Sequence, residues 1–137
     1  MVLQESGEMY LETILILLQK SQFVRAIDVG EYMGYSKPSV SRAMGLLRSG
    51  GYVEVNPDGY ISLTASGRAV AEKIYERHTL LAKYLMMLGV DEKTANEDAC
   101  RIEHIISDTS FDALKRHMKD GQKETEPNLT RSGISEG

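Results

Sequence analysis

The sequence predicts a mainly α-helical chain with one small β-hairpin, and three observations carry that reading. Apolar residues recur at helical spacing through most of the chain up to Met118. One pair of β-rich quartets, Tyr52–Val55 and Tyr60–Leu63, flanks the turn Asn56-Pro57-Asp58-Gly59. Gly34, Gly50-Gly51 and Gly89 stand where helical patterns stop.

Taken in order, Glu8–Gln19 carries Tyr10, Ile14, Leu17 and Leu18 at helical spacing and reads as a helix buried on most of its circumference. Val24–Met33 reads as a short second helix with Ala26, Val29 and Met33 inward. Ser36 then offers an N-cap and Pro38 a first-turn residue for a third helix, whose inner face is Val40, Met44 and Leu47. After the hairpin, Thr64 caps a long helix to about Leu88 with Val70, Ile74, Leu81, Leu85 and Leu88 in step. Asp91 caps another through Ile106, and Asp108 starts a last one to about Met118. The stretch from Gly121 to Gly137 has almost nothing to bury and is expected to be disordered. The expected domains are 1–73, 74–120 and a tail at 121–137. No internal repeat or phosphate-binding glycine loop is present.

Composition narrows the function classes. The 137 residues, 42% hydrophobic and 26% charged, suit one soluble domain with at most a small second unit. No apolar run approaches the roughly 20 residues of a membrane span, and Met1–Gly7 lacks the pattern of a secretory signal, so no membrane partner is expected and the cytoplasm is the expected compartment. A single cysteine, Cys100, excludes an intrachain disulfide framework and any multi-cysteine zinc finger. The net charge of −4 has the wrong sign for a protein that coats nucleic acid nonspecifically. Positive charge is nonetheless local: Lys20, Arg25, Lys37, Arg42 and Arg48 face only Asp28 and Glu31 in the stretch they span, while the acidic excess lies beyond Leu81.

Two short helices joined at Gly34-Tyr35-Ser36 and followed by a hairpin spell a winged helix-turn-helix. Such an element reads double-stranded DNA through the N-terminal end of its second helix. Here Lys37, Ser39, Ser41 and Arg42 lie there, beside Ser36 and Pro38. Small hydroxyls allow close approach, and Arg42 can reach a guanine or a phosphate. Asp58 makes the hairpin tip a poor electrostatic wing. The plainer reading of the same pattern is an α-helical protein with a surface hairpin. One helix-turn-helix reads only a few base pairs, which favours a homodimer on two half-sites about 34 Å apart.

A second constellation lies downstream. Cys100, Glu103 and His104 stand at i, i+3 and i+4, so a thiolate, a carboxylate and an imidazole would share one helix face and could hold one cation. The plainer reading is a buried small thiol beside a solvated Glu–His pair. A catalytic Cys–His pair would need an orienting third group that the sequence does not offer, so no enzyme is expected.

Glu8-Met9-Tyr10-Leu11, Ser36-Lys37-Pro38-Ser39-Val40-Ser41, Leu63-Thr64-Ala65-Ser66-Gly67, Arg77-His78 and Glu97-Asp98-Ala99-Cys100-Arg101-Ile102-Glu103-His104 together resemble the diphtheria toxin repressor family of metal-dependent repressors, in order over about Glu8–Lys119. The resemblance implies a winged-helix domain followed by a helical dimerisation domain, with Fe(II) or Mn(II) activating DNA binding. It also implies a metal site of Met9, Cys100, Glu103 and His104. For a second ion, iron-type members place a Glu and a second His where this chain has Ala82 and Asn96; manganese-type members use residues matching Glu12 and His78, sharing the carboxylate of Glu103. The SH3-like domain of longer members is not expected within the 17 residues from Gly121.

Thiolate and thioether ligands favour Fe(II), Co(II), Ni(II) or Zn(II) over Mn(II). Iron is therefore the expected cofactor and manganese the next, with Co(II), Ni(II) or Zn(II) as substitutes in vitro. The resulting expectation is a cytoplasmic, homodimeric, metal-dependent repressor of metal-uptake genes. The alternative is a winged-helix regulator answering an organic ligand or a protein partner, with Cys100 and Met9 merely packed.

Overall fold

A computed structural model describes residues 3–125, with side chains through residue 119. Six helices and one hairpin follow in order among the described residues: α1 (Glu5–Lys20), α2 (Ala26–Met33), α3 (Lys37–Ser49), β1 (Val53–Val55), β2 (Ile61–Leu63), α4 (Ala65–Met87), α5 (Glu92–Ile102) and α6 (Asp108–Thr125). The chain divides into two compact units between Glu76 and Arg77, inside α4 and three residues beyond the expected boundary.

In the first unit, α1 contributes Tyr10, Leu11, Ile14 and Leu15 to a core completed by Val29, Val40, Met44, Leu47, Val53 and Ile61. The second helix starts at Ala26, two residues later than its periodicity suggests. Val24 stays extended because its carbonyl accepts the Ile61 N–H at 2.7 Å, which ties it to the hairpin edge. Ala26 is consequently exposed, and Val29 carries the inward face of α2. Gly34 closes α2 at φ 73°, a left-handed conformation that glycine adopts without strain.

The start of α3 follows the sequence signals: Ser36 Oγ accepts the Ser39 N–H at 3.4 Å, and Pro38 occupies the first turn. Strands β1 and β2 pair antiparallel, Val53 opposite Leu63 and Val55 opposite Ile61. Asn56 Oδ1 accepts the N–H groups of Asp58 and Tyr60 at 3.0 and 2.9 Å and so shapes the turn between them.

The base of the hairpin is locked to α4. Thr64 Oγ1 accepts the Gly67 N–H at 3.1 Å and donates to the Gly51 carbonyl at 2.6 Å. A Cβ at Gly67 would lie 1.9 Å from the Tyr52 carbonyl oxygen, so only glycine lets the helix pass this close.

In the second unit, Leu81, Ala82 and Ala99 form a small core with Ile102 and Leu114 packed against it. Leu88, expected inward, is 66% exposed, and Met87 and Ile105 are exposed as well. Asp91 caps α5 by accepting the Thr94 N–H at 3.0 Å, and this bond holds its carboxyl below the usual carboxylate range.

That helix ends at Ile102, not Ile106. Arg77 Nη1 donates to the carbonyls of Glu103 at 3.1 Å and Ile106 at 2.6 Å, drawing both into a turn. Helix α6 starts at Asp108, as the sequence suggests, and the preceding Ser107 caps it: Ser107 Oγ accepts the Ser110 N–H at 3.1 Å.

Helix α6 continues to Thr125, past Met118 and through the first residues of the stretch expected to be disordered. Gly121 alone does not stop a helix, and no proline lies between Asp108 and Pro127. The remainder of that stretch, 126–137, lies outside the described residues. No helix among the described residues is long and apolar enough to cross a membrane.

Candidate metal centre and nucleic-acid interface

The sequence of α3 presents the side chains singled out for DNA contact on an open surface. Lys37, Pro38, Ser41 and Arg42 are exposed; Ser39 is half-buried. Ser36 Oγ also lies 3.0 Å from Ser39 Oγ, so these two hydroxyls serve the helix start as well as its surface. Lys37, Ser41 and Arg48 edge a groove of about 900 Å³ whose other walls include Ile27 of α2 and Val55 and Gly59 of the hairpin.

Beside the hairpin the structure gives a place to Arg25, which the sequence shows only as one of the local positive charges. The Arg25 guanidinium stacks 4.6 Å from the Tyr60 ring centroid, and Phe23 packs on the same ring at 5.2 Å. Positive charge is thereby fixed next to the wing that Asp58 leaves electrostatically poor. Only the tertiary fold brings Arg25 to Tyr60, so no local pattern announces it.

The candidate metal centre of the second unit is built around Glu103. Its side chain is fully buried. Oε1 lies 2.8 Å from His78 Nδ1, and Oε2 lies 3.2 Å from Nε2 of His104, whose side chain is also fully buried. Oε2 accepts no hydrogen bond of good geometry among the described residues. His78 Nε2 faces Asn96 Oδ1 at 2.9 Å, and Asn96 Nδ2 donates to the Glu92 carbonyl at 2.9 Å.

Arg77, adjacent to His78 in sequence, directs Nη1 to two backbone carbonyls and Nη2 to Asp108 at 2.5 Å, not to the Glu103 carboxylate. A buried carboxylate flanked by two imidazoles is a donor set that suits a divalent cation, because burying its charge unpaired is costly.

The structure does not bring together every residue proposed from the sequence. Cys100, half-buried on α5, does not form a group with Glu103 and His104 in which all donor atoms lie within 4.8 Å of one another. Helix α5 ends at Ile102, with Glu103 as its C-cap at φ −58° and ψ −26° and its N–H still bonded to the Ala99 carbonyl, and His104 follows. In the first unit, Glu12 is buried on α1 and Met9 is half-buried one turn before it.

A winged helix-turn-helix followed by a helical unit that buries a carboxylate between imidazoles defines a winged-helix transcriptional regulator with a metal-binding unit. The comparisons place the family. Residues 2–61 match the model of the iron dependent repressor N-terminal DNA binding domain, and residues 64–127 that of the iron dependent repressor metal binding and dimerisation domain. The chain belongs to the iron-dependent repressor family.

Over 106 residues it is 32% identical to the transcriptional regulator MntR of Escherichia coli O6:H1, covering 77% of this chain and 68% of that one. Against the diphtheria toxin repressor of Corynebacterium efficiens it is 33% identical over 107 residues, covering 77% of this chain and 46% of the relative. It superposes on a manganese-dependent transcriptional repressor solved in complex with manganese with a TM-score of 0.75 and 28% identity, over 82% of this chain and 52% of that one. The chain thus spans about half the length of several proteins it matches.

Proposed function

We propose that this protein is a homodimeric, metal-activated repressor that binds an operator in double-stranded DNA and controls metal-uptake genes. The observation that carries this reading is the fully buried Glu103 carboxylate set between His78 Nδ1 and His104 Nε2. We assign the main site to Met9, Cys100, Glu103 and His104, and a second set to Glu12 and His78, which share Glu103. Fe(II) is the first candidate, since Met9 and Cys100 add soft donors, and Mn(II) is the second.

When bound, the cation supplies positive charge to a cluster of buried donors. The chain does the rest. Met9 and Glu12 belong to α1, while Cys100, Glu103, His104 and His78 belong to the second unit. Ligands drawn from both units would restrict the two-state equilibrium to the arrangement in which α3 can enter the major groove, by as much as their affinity differs between the two states. Lys37, Ser41 and Arg42 contact DNA in that arrangement, with Ser36, Pro38 and Ser39 shaping the approach.

The small core of the second unit and the exposed Met87, Leu88 and Ile105 favour burial against a second copy. Metal analysis of protein isolated without oxygen tests the reading: near-stoichiometric iron or manganese supports it. Metal-free protein that regains no ion on incubation with Fe(II) or Mn(II) refutes it and favours a regulator answering an organic ligand or protein partner.

A further inference from the structure

Asn96 occupies a position where the resemblance leads one to look for a metal ligand, yet its amide oxygen and nitrogen are both engaged by other groups of the chain. Its Nδ2 donates to the Glu92 carbonyl at 2.9 Å, which turns Oδ1 toward His78 Nε2 at 2.9 Å. An amide oxygen can only accept, so Nε2 must carry the hydrogen. With Nε2 fixed as the donor, the neutral ring holds its lone pair on Nδ1, the nitrogen 2.8 Å from Glu103 Oε1. Two acceptor atoms at that separation need a proton or a cation between or beside them.

We propose that Asn96 is a positioning residue that fixes the tautomer and ring orientation of His78, so that Nδ1 and Glu103 Oε1 present adjacent lone pairs to a divalent cation. This rests on the reading above that a cation occupies the Glu103 cluster. Asn96 acts through His78 and does not touch the ion. Outer partners of this kind raise ligand basicity and remove the cost of reorienting the ring on binding. The Glu92 carbonyl in turn holds the amide, so the relay runs from the first turn of α5 through Asn96 to His78 on α4.

The test uses the full chain labelled with ¹⁵N-histidine, Zn(II) as a diamagnetic probe, and Mn(II) affinity measured by electron paramagnetic resonance. In the wild-type protein His78 should keep a hydrogen-bonded Nε2–H, and Zn(II) should shift Nδ1. Coordination through Nε2 would overturn the proposal whatever the variants do. Asn96→Ala should lose the protected Nε2–H signal and weaken Mn(II) binding by about 10–100-fold. Asn96→Asp, whose carboxylate also accepts from Nε2–H, should retain the signal and restore most of the affinity.

Wild-type affinity in Asn96→Ala would sink the proposal while leaving the metal site standing. A wild-type protein that binds neither ion would remove the metal reading itself, and the proposal with it.

Discussion

Replacing Arg77 by methionine removes the guanidinium that donates to two carbonyls of the turn after α5. Arg77 is 6% exposed in its side chain, and Nη1 satisfies the carbonyls of Glu103 and Ile106 at 3.1 and 2.6 Å. Methionine keeps much of the stem that packs near Phe111, whose ring centroid lies 5.4 Å from the guanidinium carbon. The loss is therefore mainly polar. A hydrogen bond to a charged donor contributes about 1.5–3 kcal/mol, so two of them amount to roughly 3–6 kcal/mol. Asp108 adds little, because its side chain is 69% exposed and water can replace the lost partner.

Against a typical domain stability of about 5–15 kcal/mol, that is a large fraction. Urea unfolding followed by circular dichroism, at one protein concentration for both chains, should show the midpoint falling by roughly 2 M at a slope of about 2 kcal/mol/M. Mn(II) affinity should fall as well, because the Glu103 backbone loses its anchor. A stability loss under about 1 kcal/mol with unchanged Mn(II) affinity would refute the claim that Arg77 sets this turn.

Other outcomes follow from the same geometry. Glu103→Ala or His104→Ala should abolish the metal dependence of DNA binding, whereas Arg42→Ala should weaken DNA binding with metal occupancy intact; paired metal analysis and fluorescence anisotropy would expose the reverse pattern. Gly67→Ala should destabilise the chain by about 1–3 kcal/mol despite alanine's better helix propensity, since its Cβ would meet the Tyr52 carbonyl, and an unchanged melting temperature would contradict that close approach. Burial, followed by the nearby Tyr35, raises the Tyr10 phenol above its ordinary value, with Arg42 opposing. The neutral phenol is therefore favoured in the folded state, and the stability linked to it is present below pH about 10 and lost as pH rises through the folded value. Ultraviolet titration of Tyr10→Phe against wild type would show one late-titrating tyrosine missing, and no difference would count against the effect.

Local signals in this sequence read through to structure wherever the physics is local. Ser36 with Pro38, the Asn56 turn and Asp91 each act within four residues, and each does in the fold what its side chain suggests. Tertiary interactions decide the rest. Val24 leaves the α2 pattern because Ile61 takes its carbonyl, and α5 ends early because a guanidinium on α4 captures the two carbonyls that follow it.

The candidate site divides the same way. Glu103 and His104 are legible by residue type and spacing, and His78 through the resemblance to the repressor family. The partnership of His78 with Asn96 joins residues 18 positions apart through side-chain atoms and leaves no periodic trace. Arg77 carries no local signal beyond its place next to His78, because its role depends on the distant turn whose carbonyls it holds.

On the function proposed above, a divalent cation switches this chain onto DNA. A duplex pool of random sequence, enriched by several rounds of binding to the full chain with Fe(II) under anaerobic conditions, would supply an operator for fluorescence anisotropy. The account predicts tight, saturable binding with Fe(II) or Mn(II) that disappears on adding a chelator and returns with excess metal. Equal affinity for that duplex with metal and with chelator would contradict it.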